Sequence, residues 1–265
     1  MSKEEEEIEW SEESMKKRPF TSLDTLLEMG GLMYDIESLS VDGKKIAIED
    51  VADSDDDGDY EVTEDTGRRT WEASFVFAKY IELHSQNVLG KDSLVLEVGA
   101  GTGVVGIAAA ATCKPRRVIL TDLEYCHKAL RNNVAKSKGT WTDKTRDVQI
   151  DVMTLNWKIV AKAGSWDFIP DVILGSEVVW LYELVEPLVE TLKVLCDMRI
   201  KTKGSPPKIF MAYQSRDEDL DEALRVSFKK HGFRTLLIPH TDLPSDYRFS
   251  QKIVILNCVY SVDFS

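Results

Sequence analysis

Residues 94–107, LVLEVGAGTGVVGI, place a glutamate and three alternating glycines directly after an apolar run. Gly99, Gly101 and Gly103 allow a tight turn with a close backbone approach to a ligand, because glycine has no Cβ and adopts positive φ. The run LVLEV predicts a buried strand, and VVGIAAAA predicts the helix after the turn. A strand, a glycine-rich turn and a helix in this order indicate a binding site for a nucleotide-like cofactor.

Two cofactors fit this turn. Gly101 to Gly106 matches the dinucleotide pattern G-x-G-x-x-G, and Asp122 follows about 20 residues later, where an acid can accept hydrogen bonds from ribose hydroxyls. Glu97 extends the motif to E-x-G-x-G-x-G, and we expect its carboxylate to receive the ammonium group of an amino-acid-like ligand. Asp122 serves either cofactor, whereas Glu97 favours S-adenosylmethionine.

Alternating strand and helix patterns continue from Thr70 to the end of the chain. The predicted strands are LVLEV, RVILTD, VQIDV, PDVILGSE, KIFMAYQ, FRTLLI and KIVILNCVY. The first five are separated by helical stretches, which predicts a parallel, doubly wound α/β sheet. Only 12 residues, 239–250, connect the last two, which is too short for a crossover helix and predicts an antiparallel pair. Such an ending leaves little room for the second half of a dinucleotide fold, and the whole resembles a Rossmann-like class I methyltransferase with seven strands.

The start of the chain differs in composition from the rest. Residues 1–18 carry four consecutive glutamates and a Lys-Lys-Arg cluster, and we expect a disordered acidic tail because such sequence buries little apolar surface. Residues 19–66 form an N-terminal extension, and 67–265 the main domain. DSDDDGD at 53–59 predicts a solvated acidic loop, and calcium loops, which also collect aspartates around a glycine, are the alternative. No metal site is predicted.

Charge and cysteine usage limit the partners and the location. The 265-residue chain has a net charge of -13, which disfavours nucleic acid and anionic membranes as partners. Its four cysteines lie far apart without the pairing typical of metal sites, and the acidic start lacks the apolar core of a signal peptide. We expect a monomer in the cytoplasm or also in the nucleus.

Five motifs occur in an order found in one known group. They are WEASFVFAKYIE, LEVGAGTGVVGIAAA, ILTDL, LNW and DVILGSEVVW. Together they resemble the seven-β-strand protein lysine methyltransferases of methyltransferase family 16, which includes the methyltransferase-like 21 group. The resemblance covers about residues 66–260 and implies transfer of a methyl group from S-adenosylmethionine to a lysine of a non-histone protein. A small-molecule methyltransferase and an inactive binding module remain as alternatives, whereas GSEVVW lacks the prolines expected of an enzyme that methylates amino groups of nucleobases.

The resemblance also implies a cofactor site. Trp71 would contact the methionine end, Asp122 would hold the ribose hydroxyls, and Trp157 would pack beside adenine, although Asn156 replaces the family's aspartate before it. The backbone of Ser176 would face the cofactor. The cofactor-binding residues predicted in this way are Trp71, Glu97, Gly99, Ala100, Gly101, Thr102, Gly103, Asp122, Leu123, Trp157 and Ser176.

The family's Asp-x-x-Tyr motif corresponds here to Glu177-Val178-Val179-Trp180. A lysine amine, with a reference pKa of about 10.4, must lose a proton before it can attack a methyl group. The hypothesis is that Glu177 orients the incoming ammonium and accepts its proton, unless water does so, while Trp180 and Trp71 line the channel. Core packing is the alternative role for each tryptophan, and a strand-end position is the alternative for Glu177. Arginine, histidine and N-terminal amines also remain open as acceptors.

Overall fold

A computed structural model describes residues 7–16, 39–49, 66–142, 148–159, 166, 168–215, 217–243 and 253–261. Its strands are β1 (Ile8–Glu9), β2 (Ser40–Val41), β3 (Lys44–Lys45), β4 (Leu94–Val98), β5 (Arg117–Asp122), β6 (Gln149–Thr154), β7 (Val172–Ser176), β8 (Lys208–Gln214), β9 (Phe233–Leu237) and β10 (Ile253–Tyr260). Its helices are α1 (Glu12–Lys16), α2 (Glu72–Val88), α3 (Val104–Cys113), α4 (His127–Ser137), α5 (Tyr182–Lys203) and α6 (Glu218–Lys230). The acidic loop predicted at 53–59 lies outside the described residues.

Eight strands form one sheet in the order β1-β9-β10-β8-β7-β4-β5-β6. Strands β4 to β8 pair in parallel, whereas β10 is antiparallel to both β8 and β9. The predicted α/β fold, mostly parallel with an antiparallel C-terminal strand, is therefore confirmed. The eighth strand, β1, was not predicted.

The disorder expected for residues 1–18 is wrong for the part that the structure describes, 7–16. Ile8 pairs with Leu237 at the edge of the sheet, and the Trp10 backbone N–H donates to Thr235 O at 2.8 Å. The Trp10 side chain is 2% exposed and packs edge-on against Tyr213. Average charge missed this segment because its order depends on contacts with distant residues, namely strand pairing with β9 and burial of Trp10 against Tyr213.

Both faces of the sheet are covered, and each strand contributes alternately to the two cores. In β4, Val95 packs in the core under α2 and α3, whereas Leu96 and Val98 pack in the opposite core under α5 and α6. Residues 39–49 add fully buried Val41 and Ile46 to the first core. Within the described ranges, no helix has both the length and the apolar character of a membrane span.

The strand order reverses at β4, because β5 lies on one side of it and β7 on the other. The carboxyl ends of these three strands therefore meet at one point of the sheet edge, where a crevice forms in doubly wound folds. Gly99 follows β4, Asp122 ends β5 and Ser176 ends β7. The topology thus brings the predicted site residues together from three separate segments.

Gly106 packs where α3 meets the sheet, and we expect Gly106→Ala to destabilise the fold. An added Cβ would lie 2.1 Å from Leu120 Cδ2 and 2.6 Å from Glu97 Oε2. Overpacking of this kind costs about 1–3 kcal/mol of unfolding free energy. Gly139→Ala is the matched control, since its Cβ would meet nothing within 4 Å. Urea unfolding that gives equal midpoints for the two variants would show that this packing account is wrong.

Candidate active site

A cavity of about 730 Å³ opens at the carboxyl edge of the sheet. This volume is in the range of small-molecule and cofactor sites. The residues around it are Gly67, Arg69, Trp71, Ser74, Gly99, Ala100, Gly101, Thr102, Asp122, Leu123, Tyr125, Leu155, Asn156, Trp157, Lys158, Ser176, Glu177, Val178, Trp180, Leu181, Glu183, Leu184 and Pro187. The cavity therefore collects eleven of the thirteen residues predicted from the sequence, and it omits Glu97 and Gly103.

The glycine turn forms part of the cavity wall and depends on its glycines. Gly99 and Gly101 have φ of +60° and +54°, in the left-handed region that other residues rarely adopt. A Cβ on Gly99 would also lie 2.8 Å from Val178 Cγ1 and 3.3 Å from the Trp157 ring. The absence of a side chain therefore lets the turn pack directly against Val178 and Trp157.

Gly103 was predicted to bind the cofactor, but it faces the protein interior. It is the N-cap of α3 with φ +85°, and a Cβ there would lie 2.6 Å from Leu130 Cδ1. Its role in this structure is to begin the helix after the turn. The motif spacing could not separate the glycines that line the cavity from the one that faces the core.

Glu97 was predicted to receive the ligand's ammonium group, and the structure contradicts a direct contact. The side chain is 1% exposed and does not line the cavity. Its Oε2 accepts a hydrogen bond of 2.8 Å from the Gly106 backbone N–H, in the first turn of α3. The carboxyl group thus partners a helix N-terminal N–H that would otherwise lack an intrahelical acceptor.

We expect Glu97 to make the free energy of unfolding fall as pH rises. An ion-paired carboxylate, whose pKa is lowered, has the opposite effect. Burial raises its pKa from 4.5 to about 8, against the Gly106 hydrogen bond and with help from the Asp122 charge. Between those values the folded state holds a proton that the unfolded chain releases, so the free energy of unfolding falls as pH rises. Glu97→Gln, which stays neutral, should flatten this decline in urea unfolding between about pH 5 and about pH 8. A variant with the wild-type slope would contradict this assignment.

Asp122 presents a carboxylate at the end of β5, and the glycine turn fixes its orientation. Its Oδ2 accepts from the Gly101 N–H and its Oδ1 from the Leu123 N–H, both at 2.7 Å. Burial raises the pKa of Asp122, and these two backbone hydrogen bonds oppose the rise. Because a carboxylate oxygen can accept more than one hydrogen bond, the side chain can also receive hydroxyl groups of a ligand.

Trp157 lines the cavity where β6 ends. Its ring lies against Gly99, and its buried indole N–H has no hydrogen-bond acceptor among the described residues. The neighbouring Asn156 side chain accepts from the Lys158 backbone N–H at 3.0 Å, so it helps to shape this turn. Leu123 and Trp157 give the Asp122 end of the cavity apolar and aromatic surface.

Glu177 and Trp180 line the same cavity beyond the end of β7. Glu177 has φ +56°, an uncommon conformation for a residue with a long side chain. Its backbone N–H donates to Ala212 O at 3.0 Å, and its Oε1 accepts from the Gln214 N–H at 2.6 Å. Backbone strain of this kind concentrates at functional sites, so the geometry supports a functional role for Glu177.

Residues that precede and begin α2 form another part of the cavity wall. Trp71 is 39% exposed at the mouth, and the Ser74 hydroxyl donates to Ser176 Oγ at 3.1 Å. Thr70 Oγ1 lies 2.9 Å from Thr102 Oγ1 and ties this segment to the glycine turn. Among the cavity residues that sequence reasoning missed are Gly67, Arg69, Ser74, Tyr125, Lys158 and Glu183. Ser74 lies within the motif WEASFVFAKYIE, the others lie outside the five motifs, and the fold brings all of them to the site.

The motif order and the sheet topology agree with a comparison against known families. The profile of the family described as lysine methyltransferase matches residues 57–226 of the chain. The chain belongs to this lysine methyltransferase family. The resemblance inferred from its five motifs is thereby confirmed.

Named relatives of this family member are similar over part of their length. Protein-lysine N-methyltransferase EEF2KMT of Mus musculus is 29% identical over 204 residues, which cover 73% of this chain and 58% of that protein. Protein N-lysine methyltransferase METTL21A of Xenopus tropicalis is 31% identical over 159 residues, or 60% of this chain and 66% of that protein. The chain thus spans little more than half the length of the mouse relative.

Solved structures show a weaker likeness. Magnesium protoporphyrin IX methyltransferase of Synechocystis PCC 6803, solved with bound SAH, gives a TM-score of 0.46 at 16% identity. That match covers 78% of this chain and 90% of the other. It is too distant to add to the family assignment.

Proposed function

We propose that this protein transfers a methyl group from S-adenosylmethionine to the side-chain amine of a lysine in another protein. One observation carries the proposal: Asp122 with the glycine turn, and Glu177 with Trp180, line a single cavity. A group held by the first pair would meet an acceptor held by the second. The names of the mouse and frog relatives, both lysine methyltransferases, support lysine as the acceptor.

The residues present fit S-adenosylmethionine. Asp122 offers a fixed acceptor for ribose hydroxyls, the turn at Gly99 and Gly101 lets a ligand approach the backbone, and Leu123 and Trp157 offer apolar surface for a purine. Trp71 would contact the methionine end. When bound, S-adenosylmethionine supplies a sulfonium-activated methyl group. Glu97 supports this site indirectly, through its hydrogen bond to the start of α3.

The acceptor end of the cavity has the chemistry that a lysine requires. The Glu177 carboxylate would pair with the incoming ammonium and accept its proton, which leaves the amine neutral. The aromatic faces of Trp180 and Trp71 would favour the cationic side chain on its way in. Alignment and exclusion of water account for most of the rate in such a displacement, and these are tasks of the cavity wall.

Incubation of the purified protein with a cell extract and isotopically labelled S-adenosylmethionine tests the reaction class. Label that enters protein, and does so less when Glu177→Gln replaces the wild type, would support the proposal. Label confined to small metabolites would instead identify a small-molecule methyltransferase. Partner binding that survives Asp122→Ala, with no label transferred, would indicate an inactive binding module.

A further inference from the structure

The Asp221 carboxylate holds the chain on both sides of Gln214, whose backbone N–H contacts Glu177. The Gln214 N–H donates to Glu177 Oε1 at 2.6 Å. The hydroxyl of Tyr213 donates to Asp221 Oδ1, and that of Ser215 donates to Asp221 Oδ2, each at 2.6 Å. Asp221 is thus bonded to the residues directly before and after Gln214.

The Asp221 carboxylate is itself firmly placed. It is 5% exposed and lies in the first turn of α6, where the helix dipole favours negative charge. Asp217 caps that helix by accepting from the Asp219 and Leu220 N–H groups, both at 2.9 Å. On the other side, the Trp10 ring packs edge-on against Tyr213 with centroids 5.5 Å apart. The three residues 213–215 are therefore held between α6 and the N-terminal segment.

We infer that Asp221 is a positioning residue for Glu177, acting through the Gln214 N–H. The inference rests on the proposed function, in which the Glu177 carboxylate meets the acceptor amine. Asp221 itself does not line the cavity. Two short hydrogen bonds to a carboxylate fix the peptide plane, and that plane aims one N–H at Glu177 Oε1. A displacement of about 1 Å at a reacting group can lower a rate by about 100-fold, so the orientation of the Glu177 carboxylate affects the rate.

Three substitutions test this chain of contacts, with initial-rate measurements on a labelled protein acceptor. Asp221→Asn keeps the size of the side chain but replaces one acceptor oxygen with an amide, so one hydroxyl loses its acceptor. Tyr213→Phe and Ser215→Ala each remove one donor. We expect kcat to fall about tenfold or more in Asp221→Asn, with KM for S-adenosylmethionine unchanged because the Asp122 end is untouched. The double Tyr213→Phe, Ser215→Ala variant removes both hydrogen bonds and should lower kcat at least as much as Asp221→Asn.

Tyr260→Phe is the matched control for a purely structural effect. Its hydroxyl donates to Asp197 Oδ1 at 2.7 Å, so the variant loses the same type of tyrosine–aspartate bond. Tyr260 ends β10, whereas Gln214 pairs with Ile253 at the start of that strand. We expect Tyr260→Phe and Tyr213→Phe to lower Tm alike, and only Tyr213→Phe to lower kcat.

The outcomes separate this inference from the proposed function. Equal kcat in Tyr213→Phe and Tyr260→Phe, or wild-type kcat in Asp221→Asn, would overturn the positioning role of Asp221. The role of Glu177 would still stand if Glu177→Gln lowers kcat as expected. Full activity in Glu177→Gln would remove the role given to Glu177, and absence of lysine methylation by the wild type would overturn the proposed function. If Asp221→Asn does not fold, the comparison of Tyr213→Phe with Tyr260→Phe decides.

Discussion

Glu177→Gln is expected to lower kcat by at least about 100-fold, the range for loss of a general base. Glutamine keeps the length of the side chain and an oxygen that can accept from the Gln214 N–H. It loses the negative charge that would hold the lysine ammonium and the site that would take its proton. Affinity for S-adenosylhomocysteine should stay at the wild-type level because Asp122 and the glycine turn are unchanged. Single-turnover rates and calorimetric titration measure the two quantities separately.

Glu183→Gln provides a control at the same cavity. Glu183 is exposed at the rim and pairs with Lys158 at 3.3 Å. Exposed ion pairs contribute about 1 kcal/mol or less, so we expect at most about a fivefold loss of rate. Equal losses in the two variants would mean that the cavity needs only negative charge and that Glu177 has no special role.

Asp122→Ala is expected to weaken binding of S-adenosylhomocysteine by at least about 100-fold. Hydrogen bonds to a charged acceptor contribute about 1.5–3 kcal/mol each, and two ribose hydroxyls would lose their partner. The Gly101 N–H would lose its acceptor as well, which loosens the turn. Because the loss concerns binding, raising the S-adenosylmethionine concentration should recover part of the rate, in contrast to Glu177→Gln.

Asp151→Ala is the matched control in the next strand. Asp151 lies in β6 and pairs with Arg117 at 2.6 Å, outside the cavity. We expect it to leave the dissociation constant unchanged. Similar dissociation constants for the Asp122 and Asp151 variants would remove Asp122 from the cofactor site.

Much of the fold followed from local patterns. Local sequence was enough to predict strands such as RVILTD and the helix 127–137. The short link between the last two strands was enough to predict their antiparallel pairing. The motif residues Asp122, Glu177 and Trp180 were found because each follows a recognisable strand. Parallel strands then had to end at one edge of the sheet, which placed these residues near one another.

Glu97 shows why motif spacing alone misleads. Side chains alternate between the faces of a strand, so Glu97 shares a face with Val95 and points toward α3. The cavity at the end of β4 is lined by the residues that follow the strand instead. The alternation of side chains along β4 indicates that Glu97 faces α3. The likeness to the E-x-G-x-G-x-G motif led instead to a predicted ligand contact.

Other features depend on contacts between distant segments, which no local pattern reports. Trp10 orders the N-terminal strand by packing on Tyr213, more than two hundred positions away. Asp221 reaches Glu177 only through the fold of residues 213–215. Burial and hydrogen bonding of this kind are set by tertiary structure, and an average of composition cannot detect them.

Mass spectrometric mapping of the methylated residue tests directly whether this protein methylates lysine. The purified protein is incubated with extract proteins and S-adenosylmethionine labelled on its methyl group, in parallel with Glu177→Gln. Label on Nζ of a lysine is expected with the wild type, and its loss is expected with the variant. Label on arginine, on histidine, on an N-terminal amine or on no protein residue would contradict it.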